Sequence, residues 1–332
     1  MMATRLSKPR TMTAVVQDAY GDTEDVLRVD RVPVPDVGDD EVLVRVHATG
    51  IDRGTWHLMA GKPYAARLVF GLRRPRNPVR GREFAGVVAQ VGSRVSALRA
   101  GDEVFGIGEG SLAELVVARS RKVAPKPTAL SFEQAAAAPI PASTALQAVR
   151  DRAGVRPGQK VLVIGASGGV GTFAVQIAKA FGAEVTGVSS TAKLDLVRSL
   201  GADHVLDYTA EDIPGDGRYD VILFIGGDAR LRTLRRALAP AGTLVIVGGE
   251  DGGRWLGMGR QLRAMALSPF VRQRLVTFVN SENAADLVVL TALIEAGAVT
   301  PAVDRTFPLA EAPAAVRYMR EGRARGTIVV TM

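Results

Sequence analysis

Between positions 41 and 47 the chain reads Glu-Val-Leu-Val-Arg-Val-His, and the recurrence of Val42, Val44 and Val46 with period two predicts a strand with one face in the core. Residues 86–95 and 101–105 are further short β-rich stretches set off by Gly, Ser and Asp. The first third therefore reads as mostly β, with a charged loop over 71–82. From about residue 130 the rhythm changes. After an Ala-rich, Pro-broken segment at 132–150, the apolar run 161–164 reads as a buried strand and 172–181 as a helix that stops at Gly182. Strand-like runs at 185–188, 204–206, 221–224 and 243–247 alternate with helical runs at 192–200 and 231–238, which predicts a parallel, doubly wound sheet. A less regular, Arg-rich stretch occupies 253–280. Amphipathic helices are expected at 284–296 and 310–322, the second with Leu309, Ala312, Ala315, Val316 and Met319 on one side, before a closing strand at 327–331. The fold class is α/β. A β-rich domain of residues 1–127, completed by 283–332, encloses an alternating strand–helix domain of residues 128–282.

A length of 332 residues fits two domains at about 150 residues each. With 47% hydrophobic and 23% charged residues and a mean hydropathy of +0.13, the chain is an ordinary globular one. The absence of Cys and the presence of only three His exclude disulfides, iron–sulfur clusters and thiol nucleophiles, and leave little for a soft metal site. A net charge of +8 raises the question of phosphate-bearing partners. Basic residues cluster at Arg73, Arg74, Arg76, Arg80 and Arg82 and at Arg230, Arg232, Arg235 and Arg236, but no aromatic-rich nucleic-acid motif accompanies them, so a solvated surface is the default and nucleic acid an unlikely partner. Residues 1–12 lack an apolar core and read as a loose tail. The uncharged stretch 161–178 has the length of a membrane span, but its glycines and hydroxyls divide it into strand, turn and helix. No membrane partner and a cytoplasmic location are expected.

The strongest chemical signal is Gly165-Ala-Ser-Gly-Gly-Val-Gly171, directly after a strand and opening a helix. Gly165, Ser167, Gly168, Gly169, Val170 and Gly171 would let backbone N–H groups and the helix N-terminus approach a pyrophosphate. An NAD-preferring site places a carboxylate at the end of the following strand, against the ribose 2′-OH. That position holds Ser189, Ser190, Thr191 and Lys193 instead, which suits a 2′-phosphate and makes NADP(H) the expected cofactor. The alternative is that Ser190 or Thr191 caps the helix and Lys193 faces solvent.

The order Gly81-Arg-Glu-Phe-Ala-Gly86, Val91-Gly-Ser-Arg-Val95, Gly101-Asp-Glu-Val104, then the glycine turn and Gly201-Ala-Asp203, resembles the medium-chain dehydrogenase/reductase superfamily over nearly the whole chain. Within it the chain is similar to the zinc-independent quinone oxidoreductase branch. The resemblance implies a GroES-like catalytic domain beside a Rossmann domain, and a homodimer built through the sheet edge near 243–247. Where zinc alcohol dehydrogenases carry a Cys and a His ligand, this chain has Asp52 and Arg82; Glu83 remains, and a third ligand Cys near Ile140 is missing. A guanidinium would repel a divalent cation, so no metal is expected.

The segment Asp52-Arg-Gly-Thr-Trp-His57 is where the resemblance places the floor of the substrate cleft. His57 matches a proton-relay position in the zinc relatives, against the alternatives that it bonds a cofactor ribose or packs under Trp56. Asp52 either orients Arg53 or His57, joins the relay, or forms a structural salt bridge. Tyr64 is a second candidate donor, or loop packing. Thr144 matches a residue supporting the nicotinamide half of the cofactor and Tyr208 an adenine-side contact. Of the aromatics Trp56, Phe70, Trp255, Phe270 and Phe278, only Trp56 enters the site. The implied activity is NADPH-dependent hydride transfer to a small hydrophobic quinone or α,β-unsaturated carbonyl. The alternatives are metal-free carbonyl/alcohol interconversion, or an NADPH-binding or RNA-binding protein without turnover.

Overall fold

The computed structural model describes residues 11–21, 26–248 and 259–332. The N-terminal part is built from β1 (Thr11–Gln17), β2 (Leu27–Pro33), β3 (Glu41–Ile51), β4 (Glu83–Val91), β5 (Glu103–Ile107), β6 (Leu115–Arg119) and β7 (Val123–Pro125). Val42, Val44 and Val46 are buried as their period requires, and so is Leu43 on the opposite face, because it packs with Met12, Ala14 and Val16 of β1. The strand is thus covered on both sides at Leu43, while Arg45 and His47 on that second face stay exposed as simple alternation predicts. The longest helix described in this half, α1 (Arg53–Ala60), ends at Gly61 with φ 60°, the left-handed conformation that glycine tolerates.

The alternating part supplies α2 (Pro139–Leu146), β8 (Lys160–Ile164), α3 (Gly169–Ala180), β9 (Glu184–Ser189), α4 (Leu194–Ser199), β10 (His204–Asp207), β11 (Tyr219–Phe224), α5 (Leu231–Ala237), β12 (Leu238–Ile246), α6 (Gly259–Leu267) and β13 (Arg274–Thr277). The six strands form one parallel sheet in the order β10-β9-β8-β11-β12-β13. Its C-terminal strand ends, at Ile164, Ser189 and Phe224, lie beside the point where the order reverses, the place where such sheets bind ligands. The sheet corrects one expectation. Residues 243–246 are not at an edge, because β13, hidden in the Arg-rich stretch, pairs with them, and β13 is the edge strand.

The chain then passes through α7 (Ala284–Glu295), β14 (Val303–Pro308), α8 (Ala312–Arg320) and β15 (Thr327–Thr331). β15 pairs with β3 and β14 with β15, so the last strands join the N-terminal sheet, ordered β14-β15-β3-β4-β5-β7 with β6 also on β3. Leu309, Ala312, Ala315, Val316 and Met319 are all buried in one cluster with Ile51 and Met59, as their spacing predicts. The tail at 1–10, Gly253 and Trp255 lie outside the described residues, while Thr11 and Met12 already belong to β1. No described helix is long and apolar enough to cross a membrane.

Candidate active site and cofactor cleft

After β8 the chain turns at Gly165 (φ 85°), and α3 begins with Gly168 as its N-cap. The turn is tight enough that a Cβ on Gly171 would lie 2.0 Å from the Gly165 carbonyl oxygen, whereas one on Gly168 would meet that oxygen at an ordinary 3.5 Å. Gly171 is therefore required by the fold. Gly168 and Gly169 leave open the face where backbone N–H groups and the helix dipole attract an anion. Val170 packs partly on the core beneath, and Ser167 is buried. The Ser167 carbonyl accepts the Gly326 N–H at 3.0 Å, and Gly168 and Gly326 form an isolated parallel bridge. The C-terminal segment thus lies directly against the glycine turn.

At the end of β9, Ser189 is buried, and Ser190 starts a 3-10 turn, Thr191–Lys193, without capping it through its side chain. Lys193 Nζ donates to the carbonyls of Gly322 and Ala324, each at 2.7 Å, so this half-buried side chain is tied to the C-terminal segment. An ammonium has three N–H donors, and the third stays available to a phosphate. Burial lowers its pKa; Asp304 opposes this, while the like charges of Arg325 and Arg53 add to it. Thr191 is committed elsewhere. Its hydroxyl donates to Asp207 and also lies 3.0 Å from the Thr209 hydroxyl. Asp207 is a carboxylate that the sequence reading missed, held below the usual range by the hydroxyls of Thr191 and Thr209. The signal was the parallel pairing of β9 with β10, which sets Asp207 opposite Ser189. The next residue, Tyr208, is 64% exposed and offers a ring face at the same end of the sheet.

Asp52 turns out to be the N-cap of α1, a role not among those weighed for it. Its Oδ1 accepts from both the backbone N–H and the hydroxyl of Thr55, each at 2.6 Å. His57 and Trp56 follow on α1 with ring centroids 4.9 Å apart, and Trp56 packs partly on the core cluster under α8. The Tyr64 ring carries the Arg67 guanidinium at 4.7 Å, which also lies 4.4 Å over Tyr20, as loop packing would require. Thr144 sits on α2 with its hydroxyl donated to Ile140 O at 2.7 Å. The structure therefore brings Asp52 and His57 onto one short helix, and it gathers Gly165–Gly171, Ser189–Lys193 and Tyr208 at one sheet end.

The former zinc-ligand positions make a different constellation. The Arg82 guanidinium and the Asp52 carboxylate flank Gly54, and Arg82 is paired with Glu282, which also binds Lys122. Glu83 is fully buried; its Oε2 accepts the Ile140 N–H at 2.9 Å. Burial first, and then the Asp52 charge, raise its pKa well above the ordinary Glu value. A guanidinium held by its own carboxylate at a ligand position does not belong to a donor set for Zn²⁺. Among the described residues no three His, Cys, Asp or Glu are grouped to hold a metal ion.

Residues 38–128 match the family described as alcohol dehydrogenase GroES-like domain, and residues 200–330 the one described as zinc-binding dehydrogenase. Over 99% of its length the chain is 34% identical to a 2-methylene-furan-3-one reductase of Solanum lycopersicum, covering 81% of that protein. It is likewise 34% identical to a chloroplastic NADPH-dependent alkenal/one oxidoreductase of Arabidopsis thaliana, over 98% of this chain and 80% of that one. The NADPH-complexed quinone oxidoreductase of Escherichia coli superposes with a TM-score of 0.82 at 26% identity, covering 96% of this chain and all of the other. The glycine turn, the two sheets and these relatives together show that the chain belongs to the medium-chain dehydrogenase/reductase superfamily, among its quinone oxidoreductase-like members.

Proposed function

We propose that the chain is a zinc-independent reductase that uses NADPH to reduce a quinone or the activated double bond of an α,β-unsaturated carbonyl. The observation that carries this reading is the Arg82–Glu282 pair at the metal-ligand position. With the place of a Lewis acid taken by a neutralised cation, a substrate must bring its own activation, which conjugation to a carbonyl supplies and a plain ketone lacks. The bound cofactor supplies hydride. The protein's part is alignment and water exclusion, with the backbone of Gly168–Gly171 for the pyrophosphate, Lys193 and Ser190 for the 2′-phosphate, Tyr208 on the adenine side and Thr144 on the nicotinamide side. His57 on α1 is the proposed proton donor, Tyr64 a second one, and Asp52 holds the start of that helix.

Residues 1–127 and 283–332 are proposed as one discontinuous catalytic domain, supported by the pairing of β14 and β15 with the N-terminal sheet. A homodimer is proposed through the edge strand β13, and a cytoplasmic location goes with it; light scattering and cell fractionation test the two. The functional test is NADPH oxidation in the presence of a chelator against a panel of quinones, enones and saturated ketones. Turnover confined to the first two classes is expected. Comparable ketone turnover that disappears on His57→Phe would replace the reading with metal-free carbonyl reduction.

A further inference from the structure

The second arginine run acquires a partner at the other end of the parallel sheet from the glycine turn. Arg232, Arg235 and Arg236 stand at i, i+3 and i+4 on α5 and so share a face. Arg272, just before β13, joins them around an open pocket of ≈ 550 Å³, with Phe270 at its lip. Phe270 is 83% exposed. None of the four guanidiniums has an acidic partner among the described residues. A helix C-terminus attracts cations through its dipole, which would explain basic residues here without any ligand. Gln273 weakens that explanation. Its Nε2 donates to the carbonyls of Arg235 and Leu238 at 2.8 and 3.2 Å, and its Oε1 accepts from Arg235 Nε at 3.0 Å. The carbonyls are thus partly occupied, one guanidinium is held in place, and Arg232 and Arg236 stay exposed.

Like charges crowded into a concave wall repel one another, and an anion between them reverses that cost. We propose that this pocket binds a small polyanion with a chain of phosphates and a flat ring, the nucleoside oligophosphate class, as a second site distinct from the cofactor cleft. Planar guanidiniums suit bidentate phosphate contacts, and four of them match the about four negative charges of a triphosphate at neutral pH. The exposed Phe270 ring offers a stacking surface for a base. On β11, Tyr219 lies opposite Leu238 at this pocket and Phe224 opposite Ile246 at the cofactor end, a separation of roughly 17 Å at about 3.3 Å per residue.

The test is calorimetric titration of the full chain saturated with NADP⁺, so that the cleft is filled, using ATP, inorganic tripolyphosphate and a single-stranded oligonucleotide as probes. ATP is expected to bind once per chain. Arg232→Gln/Arg236→Gln is expected to weaken it at least about tenfold, with unchanged melting temperature and NADPH oxidation, since both side chains are exposed. Arg272→Gln should act in the same direction, and the distant Arg94→Gln should do nothing. Phe270→Ala should weaken ATP and spare tripolyphosphate; equal effects on both probes overturn the ring contact. The site itself is overturned if ATP fails to bind at about millimolar concentration, if the double variant binds it as tightly as the wild type, or if only the oligonucleotide binds.

Discussion

Replacing Lys193 by Ala removes the cation expected to distinguish NADPH from NADH. Two of its three N–H donors are spent on the carbonyls of Gly322 and Ala324, so one charge-assisted bond to a 2′-phosphate is lost. Such a bond contributes about 1.5–3 kcal/mol, and discounting for solvent at a half-exposed site leaves about 2 kcal/mol, roughly thirtyfold in kcat/KM. NADH has no 2′-phosphate and should change by no more than about twofold. The two carbonyls lose a donor as well, which costs about 1 kcal/mol after rehydration, or about 1–2 °C in Tm for a chain of this size. Steady-state kinetics with both cofactors over a range of ionic strength measure the effect. The wild-type preference should shrink as salt rises, because the Debye length falls from about 10 Å at 0.1 M to about 3 Å at 1 M. Because burial holds the pKa of Lys193 below its ordinary value, the preference of the wild type should also fade on the alkaline side before an exposed lysine would titrate. Equal losses with NADPH and NADH would refute the assignment and leave Lys193 as a tie between the sheet and the C-terminal segment.

Glu83 has a folded-state pKa above its unfolded value, so it is protonated in both states in acid and removes stability as pH rises above about 4.5; Glu83→Gln should therefore gain Tm relative to wild type as pH rises from about 4.5 toward neutrality, and a difference that stays constant over that range would contradict the raised pKa. The purified protein should contain no stoichiometric zinc and keep its activity in chelator, as atomic absorption and a rate measurement will show; tightly bound zinc whose removal abolishes turnover would sink the zinc-free reading. Gly171→Ala should fail to fold or lose much of its stability, because its Cβ would sit 2.0 Å from the Gly165 oxygen. Gly168→Ala should keep a near-normal Tm and instead weaken cofactor binding, which fluorescence titration reads directly.

The residues that sequence alone places well are those whose signal is local. The glycine turn sits between a strand and a helix, and the apolar face of α8 falls where its spacing puts it. What was missed depends on pairing between distant segments. β13 is only four residues long and starts at Arg274 in an arginine-rich stretch, so its apolar residues do not stand out, and the sheet edge was placed one strand too early. Asp207 reaches Thr191 only because β9 and β10 run parallel in that register. The departures from the zinc ligands were visible at Asp52 and Arg82, but the capture of Arg82 by Glu282, 200 positions away, was not. Asp52 was a different kind of miss. An Asp three residues before Thr55 and nine before Gly61 is a readable helix start and stop, and that local capping signal outweighs the chemical roles an Asp can take in a cleft.

The hydrogen bonds from Lys193 to Gly322 and Ala324 span 129 and 131 positions, and the Gly326 N–H closes on Ser167. During synthesis the parallel sheet can assemble long before that segment leaves the ribosome, at a pace of about 5–20 residues per second. For several seconds the nascent chain carries a folded nucleotide half whose glycine turn is uncovered on the side where Gly326 will sit. Closure of the glycine turn by Gly326 is therefore a late event, and any property that needs this contact belongs only to chains extended past residue 326.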